Sequence, residues 1–217
     1  MAERKKHYWF FDLDGTLADT DRDIRRAWKA AIADLGLACP HFDEKFVAGP
    51  PIDEMAKILF PDIFTQELAD SLRKGFAVRY DGDGFPETEE YPLIMDEVRS
   101  LKESGATVAI VTNKRFAGAT AMAKHFGWDK VFDGIFAGDM FPGKKMRKTE
   151  LLSYVLGKLG AEKDDSVLVG DTINDFEAAR VNGVFSVGVS WGYGKEADLK
   201  EADVIVHCAR ELRAAVP

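Results

Sequence analysis

Asp12-Leu13-Asp14-Gly15-Thr16 sets two carboxylates one residue apart, directly after the apolar run Tyr8-Trp9-Phe10-Phe11. Alternate side chains of an extended chain share a face, so Asp12 and Asp14 point the same way while the strand conformation persists. Two carboxylates held that close repel each other. The pair is tolerated when a cation lies between them or when one holds a proton. Both arrangements are useful chemically: a bound Mg²⁺ cancels charge on an incoming phosphate, and a protonated aspartic acid serves as a general acid.

Other polar residues collect at the ends of apolar runs. Thr112-Asn113-Lys114 closes the run beginning at Thr107, and Gly170-Asp171 closes the run beginning at Ser166, with Asp175 one helical turn further on. Lys144, Lys145 and Lys148 precede a helical stripe of Leu151, Leu152, Val155, Leu156 and Leu159. Ligands of open α/β sheets bind outside the carboxyl ends of the strands. Three carboxylates, a hydroxyl and a lysine on one such rim make a site for a metal and a phosphate. An all-oxygen donor set suits Mg²⁺ better than Zn²⁺.

The elements that must position these residues follow from periodicity. Strand-like runs recur at 8–12, 107–112, 134–137, 166–170, 184–189 and 203–206. They are nearly continuously apolar, as parallel strands covered on both faces are. Helical patterns separate them, including Ile94, Val98 and Leu101. This alternation predicts a doubly wound, Rossmann-like α/β core with a parallel sheet. Residues 19–86 break it. Ile24, Ala27, Trp28, Ala31, Ile32 and Leu35 follow helical spacing, Thr20-x-x-Asp23 reads as a capping start, and further helices are expected near 52–60 and 65–80. The reading is a small helical domain over 19–86 inserted into a core of 1–18 and 87–217, with linkers just after Asp19 and at 81–86.

Composition narrows the function classes. The 217 residues suffice for one core and a small insert, and 46% apolar with 30% charged residues describes a globular chain. A formal net charge of −8 disfavours binding nucleic acid through a broad basic surface. No apolar run approaches the roughly 18 residues of a membrane span. The basic N-terminus (Arg4, Lys5, Lys6) meets Asp12 too soon to head a signal peptide, and Cys39 and Cys208 are too few and too distant for a disulfide framework, so a cytoplasmic location is expected. The four histidines are scattered, and none pairs with another at metal-ligand spacing.

Asp12–Thr16, Val111-Thr112-Asn113-Lys114, a downstream lysine and Gly170-Asp171-Thr172-Ile173-Asn174-Asp175, in that order and spacing, resemble the four motifs of the haloacid dehalogenase superfamily. The helical insert resembles its C1 cap. Tyr91-Pro92 and Gly188-Val189-Ser190-Trp191-Gly192-Tyr193-Gly194 resemble the phosphoglycolate-phosphatase-like branch, and the likeness covers essentially the whole chain. The resemblance implies that Asp12 is a nucleophile forming an aspartyl-phosphate and a metal ligand, and that Asp14 is the acid and base, with its backbone carbonyl on the metal. It implies Thr112, Asn113 and Lys114 on the phosphate side, a lysine neutralising the phosphate, Asp171 on the metal, and Asp175 supporting the metal waters or orienting the lysine. Relatives often carry Lys-Pro-x-Pro before the helix that follows this lysine, and glycine after Tyr-Pro. This chain lacks the first, which leaves Lys148 as the expected lysine and Lys145 as the alternative, and has Leu93 in place of the glycine.

Rival readings of the same residues are weaker. An EF-hand needs glycine at its sixth position and glutamate at its twelfth, and neither stands there counting from Asp12. Gly192-x-Gly194 lacks the third glycine of a dinucleotide loop and reads as a shaped loop beside the site. The expected function is therefore a Mg²⁺-dependent phosphatase of small phosphomonoesters, phosphoglycolate first among them. The alternatives are a phosphomutase of sugar phosphates and a phosphate-binding regulator without turnover. The expected partner is a small phosphorylated metabolite, without nucleic acid or membrane, and the expected state is a monomer or homodimer.

Overall fold

The structure is a computed structural model that describes residues 6–82 and 84–217. Arg4 and Lys5 of the basic N-terminus and Asp83 of the expected second linker lie outside the described residues. The chain divides into two compact units, one comprising Met1–Asp19 with Glu89–Pro217 and the other Thr20–Thr88.

The first unit is built on a six-stranded parallel sheet. Its strands are β1 (Tyr8–Phe11), β4 (Thr107–Thr112), β5 (Gly134–Ala137), β6 (Ser166–Gly170), β7 (Phe185–Val189) and β8 (Val204–Val206), in the order β5-β4-β1-β6-β7-β8. From β1 the chain builds outward through β4 and β5, then returns to the other side of β1 for β6. The order therefore reverses at β1, and the crevice at its carboxyl end is where an open sheet binds its ligand. Register aligns the three central strands there: Phe11 pairs with Ile110 on one side and Val169 on the other, so Asp12, Thr112 and Asp171 all emerge at one rim.

Helices cover both faces, which explains the uninterrupted apolar runs. Leu151, Leu152 and Val155 of α7 (Lys148–Leu159) and Ala178 and Ala179 of α8 (Ile173–Asn182) bury Phe10, Ala109, Val111 and Leu168 in one cluster. Ile94, Val98 and Leu101 form the buried stripe of α5 (Ile94–Glu103). Each such side chain contributes about 1.5–3 kcal/mol on burial. A short antiparallel ribbon of β2 (Ala18–Asp19) and β3 (Glu89–Glu90) lies where the chain leaves and re-enters this unit.

The second unit is all helical: α1 (Asp21–Asp34), α2 (Phe42–Lys45), α3 (Ile52–Leu59) and α4 (Gln66–Gly82). Ile24, Ala27, Trp28, Ala31 and Ile32 form the buried stripe of α1, but Leu35 falls past the end of the helix and is exposed. Trp28 packs edge-on against Phe46, and Phe76 stacks on Tyr80. The expected capping start of α1 is not formed by the Thr20 side chain. Asp23 instead turns inward, because the backbone N–H of Glu87 and the hydroxyl of Thr88 donate to it at 3.1 and 2.7 Å. Among the described residues no helix is long and apolar enough to cross a membrane.

Candidate active site

The site begins with the residue after β1. The N–H of Asp12 donates to the Val169 carbonyl at 2.9 Å, extending the sheet ladder by one residue and fixing the direction of the buried carboxylate. The chain then folds back on itself: the Leu13 carbonyl accepts from the N–H groups of Thr16, Leu17 and Ala18. Gly15 sits in the left-handed region (φ +78°), and a Cβ there would come within 2.3 Å of an Asp171 carboxylate oxygen. Both facts require glycine after Asp14.

Asp171, fully buried after β6, accepts from the N–H of Tyr193 at 2.7 Å and from the hydroxyl of Thr16 at 3.3 Å. The Tyr193 contact is possible because Gly194 lies flat against the Asp171 backbone; a Cβ there would fall 1.7 Å from the Asp171 carbonyl oxygen. Asp175, in the first turn of α8, accepts from the Thr172 N–H and hydroxyl through Oδ2 at 3.0 and 2.8 Å. Its Oδ1 is thereby turned to the Lys148 ammonium, which it contacts directly. Lys148 opens α7 and reaches 2.9 Å from Asp12 Oδ1, with 2% of its side chain exposed. Lys145 is exposed in the preceding loop, so the lysine at the rim is Lys148.

Asp12, Asp171 and Asp175 offer oxygens within 4.8 Å of one another. Burial, then the charges of Asp175 and Asp12, push Asp171 up to about 8, and burial also raises Asp175. Burial opposes the Lys148 ammonium, yet Asp12 and Asp175 outweigh it and hold Lys148 above the ordinary lysine range. With all three buried carboxylates ionised, one buried ammonium leaves two negative charges over, the charge of one divalent cation. Hard oxygen donors with that surplus fit Mg²⁺.

Asp14 stands apart from this cluster. Its carboxylate meets Lys114 Nζ at 2.8 and 3.1 Å. Thr112 is buried at the end of β4 and accepts from the Lys114 N–H at 3.2 Å, while Asn113 is exposed on the turn between them. The contacts of Thr16 and Tyr193 with Asp171 were not expected from sequence. The one signal for the second was the Gly192-x-Gly194 spacing. The same loop places the Trp191 indole N–H on the Thr16 carbonyl at 3.2 Å and the Tyr193 hydroxyl on Asp19 at 2.8 Å.

Residues 9–189 match the family described as haloacid dehalogenase-like hydrolase. Over 218 residues the chain is 31% identical to the tyrosine-protein kinase PtkA of Mycobacterium tuberculosis, an alignment covering 95% of this chain and 71% of that protein. It is 33% identical over 202 residues to a phosphoglycolate phosphatase of Agrobacterium fabrum, covering 90% and 86%. The crystal structure of a predicted phosphatase from Clostridium acetobutylicum is similar with a TM-score of 0.85 and 28% identity over 97% of both chains.

Proposed function

The chain belongs to the haloacid dehalogenase-like hydrolase family and is a hydrolase of phosphomonoesters; from that premise we propose a Mg²⁺-dependent phosphatase that acts on small substrates through an aspartyl-phosphate. The observation that carries this reading is the Lys148 ammonium lodged between Asp12 and Asp175 at the end of β1. It holds the Asp12 carboxylate aimed outward from the strand and supplies fixed positive charge where a phosphoryl group arrives. Asp12 attacks phosphorus, its Oδ–P bond forming as the bond to the ester oxygen breaks. Asp14 gives its proton to the leaving oxygen, then takes one from the water that releases phosphate from Asp12. Thr112, whose hydroxyl oxygen accepts from the Lys114 N–H, would donate its own O–H to a phosphoryl oxygen. Asp175 acts by positioning Lys148, and Asn113 lies on the turn that bears Thr112 and Lys114. Mg²⁺ held by Asp12, Asp171 and the Asp14 carbonyl would supply charge neutralisation for the phosphoryl oxygens. We infer that the helical unit is the C1 cap of the family. Phosphoglycolate is the first candidate substrate, in keeping with the name of the Agrobacterium relative.

Phosphate release from a panel of phosphomonoesters, with Mg²⁺ and with EDTA, tests the reading on the wild type and on Asp12→Asn. Release that needs the metal and is lost in the variant is expected. No release, with label passing from ATP to a tyrosine acceptor instead, would overturn it in favour of the activity that PtkA is named for.

A further inference from the structure

We propose that Tyr193 is a positioning residue for the metal site: its phenol, hydrogen-bonded to Asp19, holds its own backbone N–H on the Asp171 carboxylate and thereby raises the affinity of the site for Mg²⁺. The inference rests on the metal-dependent phosphatase reading and adds to it a residue that acts through Asp171.

Two segments clasp the buried Asp171 side chain. Its Oδ2 accepts from the Tyr193 N–H at 2.7 Å, and its Oδ1 accepts from the Thr16 hydroxyl at 3.3 Å. The segments that carry these donors are joined to each other twice more. The Trp191 indole N–H donates to the Thr16 carbonyl at 3.2 Å, and the Tyr193 hydroxyl donates to Asp19 Oδ1 at 2.8 Å. Each oxygen of Asp171 is thus aimed by one donor, and the two cross-links fix the spacing between the donors. A carboxylate held in this way meets a cation with little rotational freedom left to lose. Groups that orient a metal-binding carboxylate commonly change metal affinity by about ten- to a hundredfold.

The sequence around Tyr193 gives its side chain this task. Gly192 and Gly194 flank it, and a Cβ on Gly192 would come within 2.3 Å of the Asp171 Cβ. Bare backbone is therefore needed for the approach to Asp171, yet glycine is the residue that stiffens a chain least. A segment with glycine on both sides of the donor needs an anchor from side chains. Trp191 anchors its start on Thr16, and the phenol of Tyr193 anchors the donor residue itself on Asp19. The acceptor is a carboxylate, which makes the second anchor a charge-assisted bond. Asp19 closes β2, the strand by which the chain leaves the sheet unit, so its own position is set by pairing with Glu89 of β3.

The test is calorimetric titration of Mg²⁺ into wild type, Tyr193→Phe, Asp19→Ala, the double variant and Asp19→Asn. Tyr193→Phe and Asp19→Ala should each weaken binding by about tenfold, the low end for such supporting groups because this link is exposed. The double variant should bind no more weakly than either single one, since both remove the same bond. Asp19→Asn loses the charge but keeps an acceptor oxygen for the phenol, so it should stay within about threefold of wild type. Equal losses in Asp19→Asn and Asp19→Ala would assign the effect to the charge of Asp19 and overturn the proposal. An unchanged Kd in Tyr193→Phe would overturn it too, even with a lowered Tm, and would leave the phenol a structural contact only. Hydrogen exchange at the amide of residue 193, read without metal, should be about tenfold faster in Tyr193→Phe, and an unchanged rate would count as refutation. Failure of the wild type to bind Mg²⁺ would sink the metal-dependent reading, and the amide exchange would still decide whether the phenol positions the donor to Asp171.

Discussion

The two units each bury aspartate, and they treat it differently. In the helical unit Asp23 is 1% exposed and meets a matched set of partners: the Glu87 N–H, the Thr88 hydroxyl and the Arg26 guanidinium at 2.8 Å. That carboxylate ties α1 to the segment that closes the unit. In the sheet unit Asp12, Asp171 and Asp175 cluster together, and one ammonium, that of Lys148, contacts only Asp12 and Asp175 of the three. Burying unbalanced charge is unfavourable, and folding alone gives no reason to retain it. Balanced buried charge therefore points to architecture, and the surplus points to a ligand that completes it.

The sharpest way to break this contrast is to remove one charge from each place. Asp12→Asn should cut phosphate release by roughly a thousandfold or more, since the nucleophile is lost. It should also leave the metal-free protein as stable as the wild type or more so, because a like charge is gone. Activity assays and thermal melts on one preparation check both halves; a large drop in Tm would make Asp12 structural as well. Asp23→Ala should do the opposite. It strands two buried donors and a guanidinium, which costs about 3 kcal/mol of stability. The chemistry of folded molecules should survive, as thermal unfolding and the rate per folded molecule would report.

The surplus also predicts a pH dependence. In the folded metal-free protein Asp171 keeps its proton up to about pH 8. In the unfolded chain it loses that proton near pH 4, at about the ordinary aspartate value. Between these values the folded state binds more protons, so stability falls as pH rises, by about 2 kcal/mol from roughly pH 6 to pH 8. Melting curves across that range should show the slope in wild type, and show it flattened in Asp171→Asn or with saturating Mg²⁺. A slope indifferent to both would mean that the charge surplus is relieved in some other way.

Much of this contrast was legible before the fold was known, because its parts sit on local patterns. The six apolar runs became the six strands, and Asp12, Asp171 and Lys148 were readable as residues that end a strand or open a helix. What could not be read were contacts made by backbone or across long separations. The Tyr193 N–H on Asp171 involves no side chain of Tyr193, and only the need for a bare backbone at Gly194 hinted at it. Thr20-x-x-Asp23 has a capping spacing, yet the donors that claim Asp23 arrive from 64 and 65 residues away. The Lys114–Asp14 pair spans 100 residues and joins two motifs that sequence treats separately.

The smallest effect separates charge from strain as the source of instability in the sheet unit. Leu93, in the turn before α5, holds a left-handed conformation (φ +65°) with its side chain 42% exposed. For a residue with a Cβ this costs about 1 kcal/mol or a little more, and burial does little to offset it here. Glycine adopts the conformation freely but gives the unfolded chain more freedom, which takes back part of the gain. Leu93→Gly should therefore raise stability by roughly 0.5–1 kcal/mol in thermal melts while kcat/KM stays unchanged. Asp12→Asn and Leu93→Gly would then both relieve the sheet unit, and only the first would abolish turnover. That divergence would identify the charge surplus, and not local strain in general, as the feature on which the reaction depends; a loss of activity in Leu93→Gly would refute it.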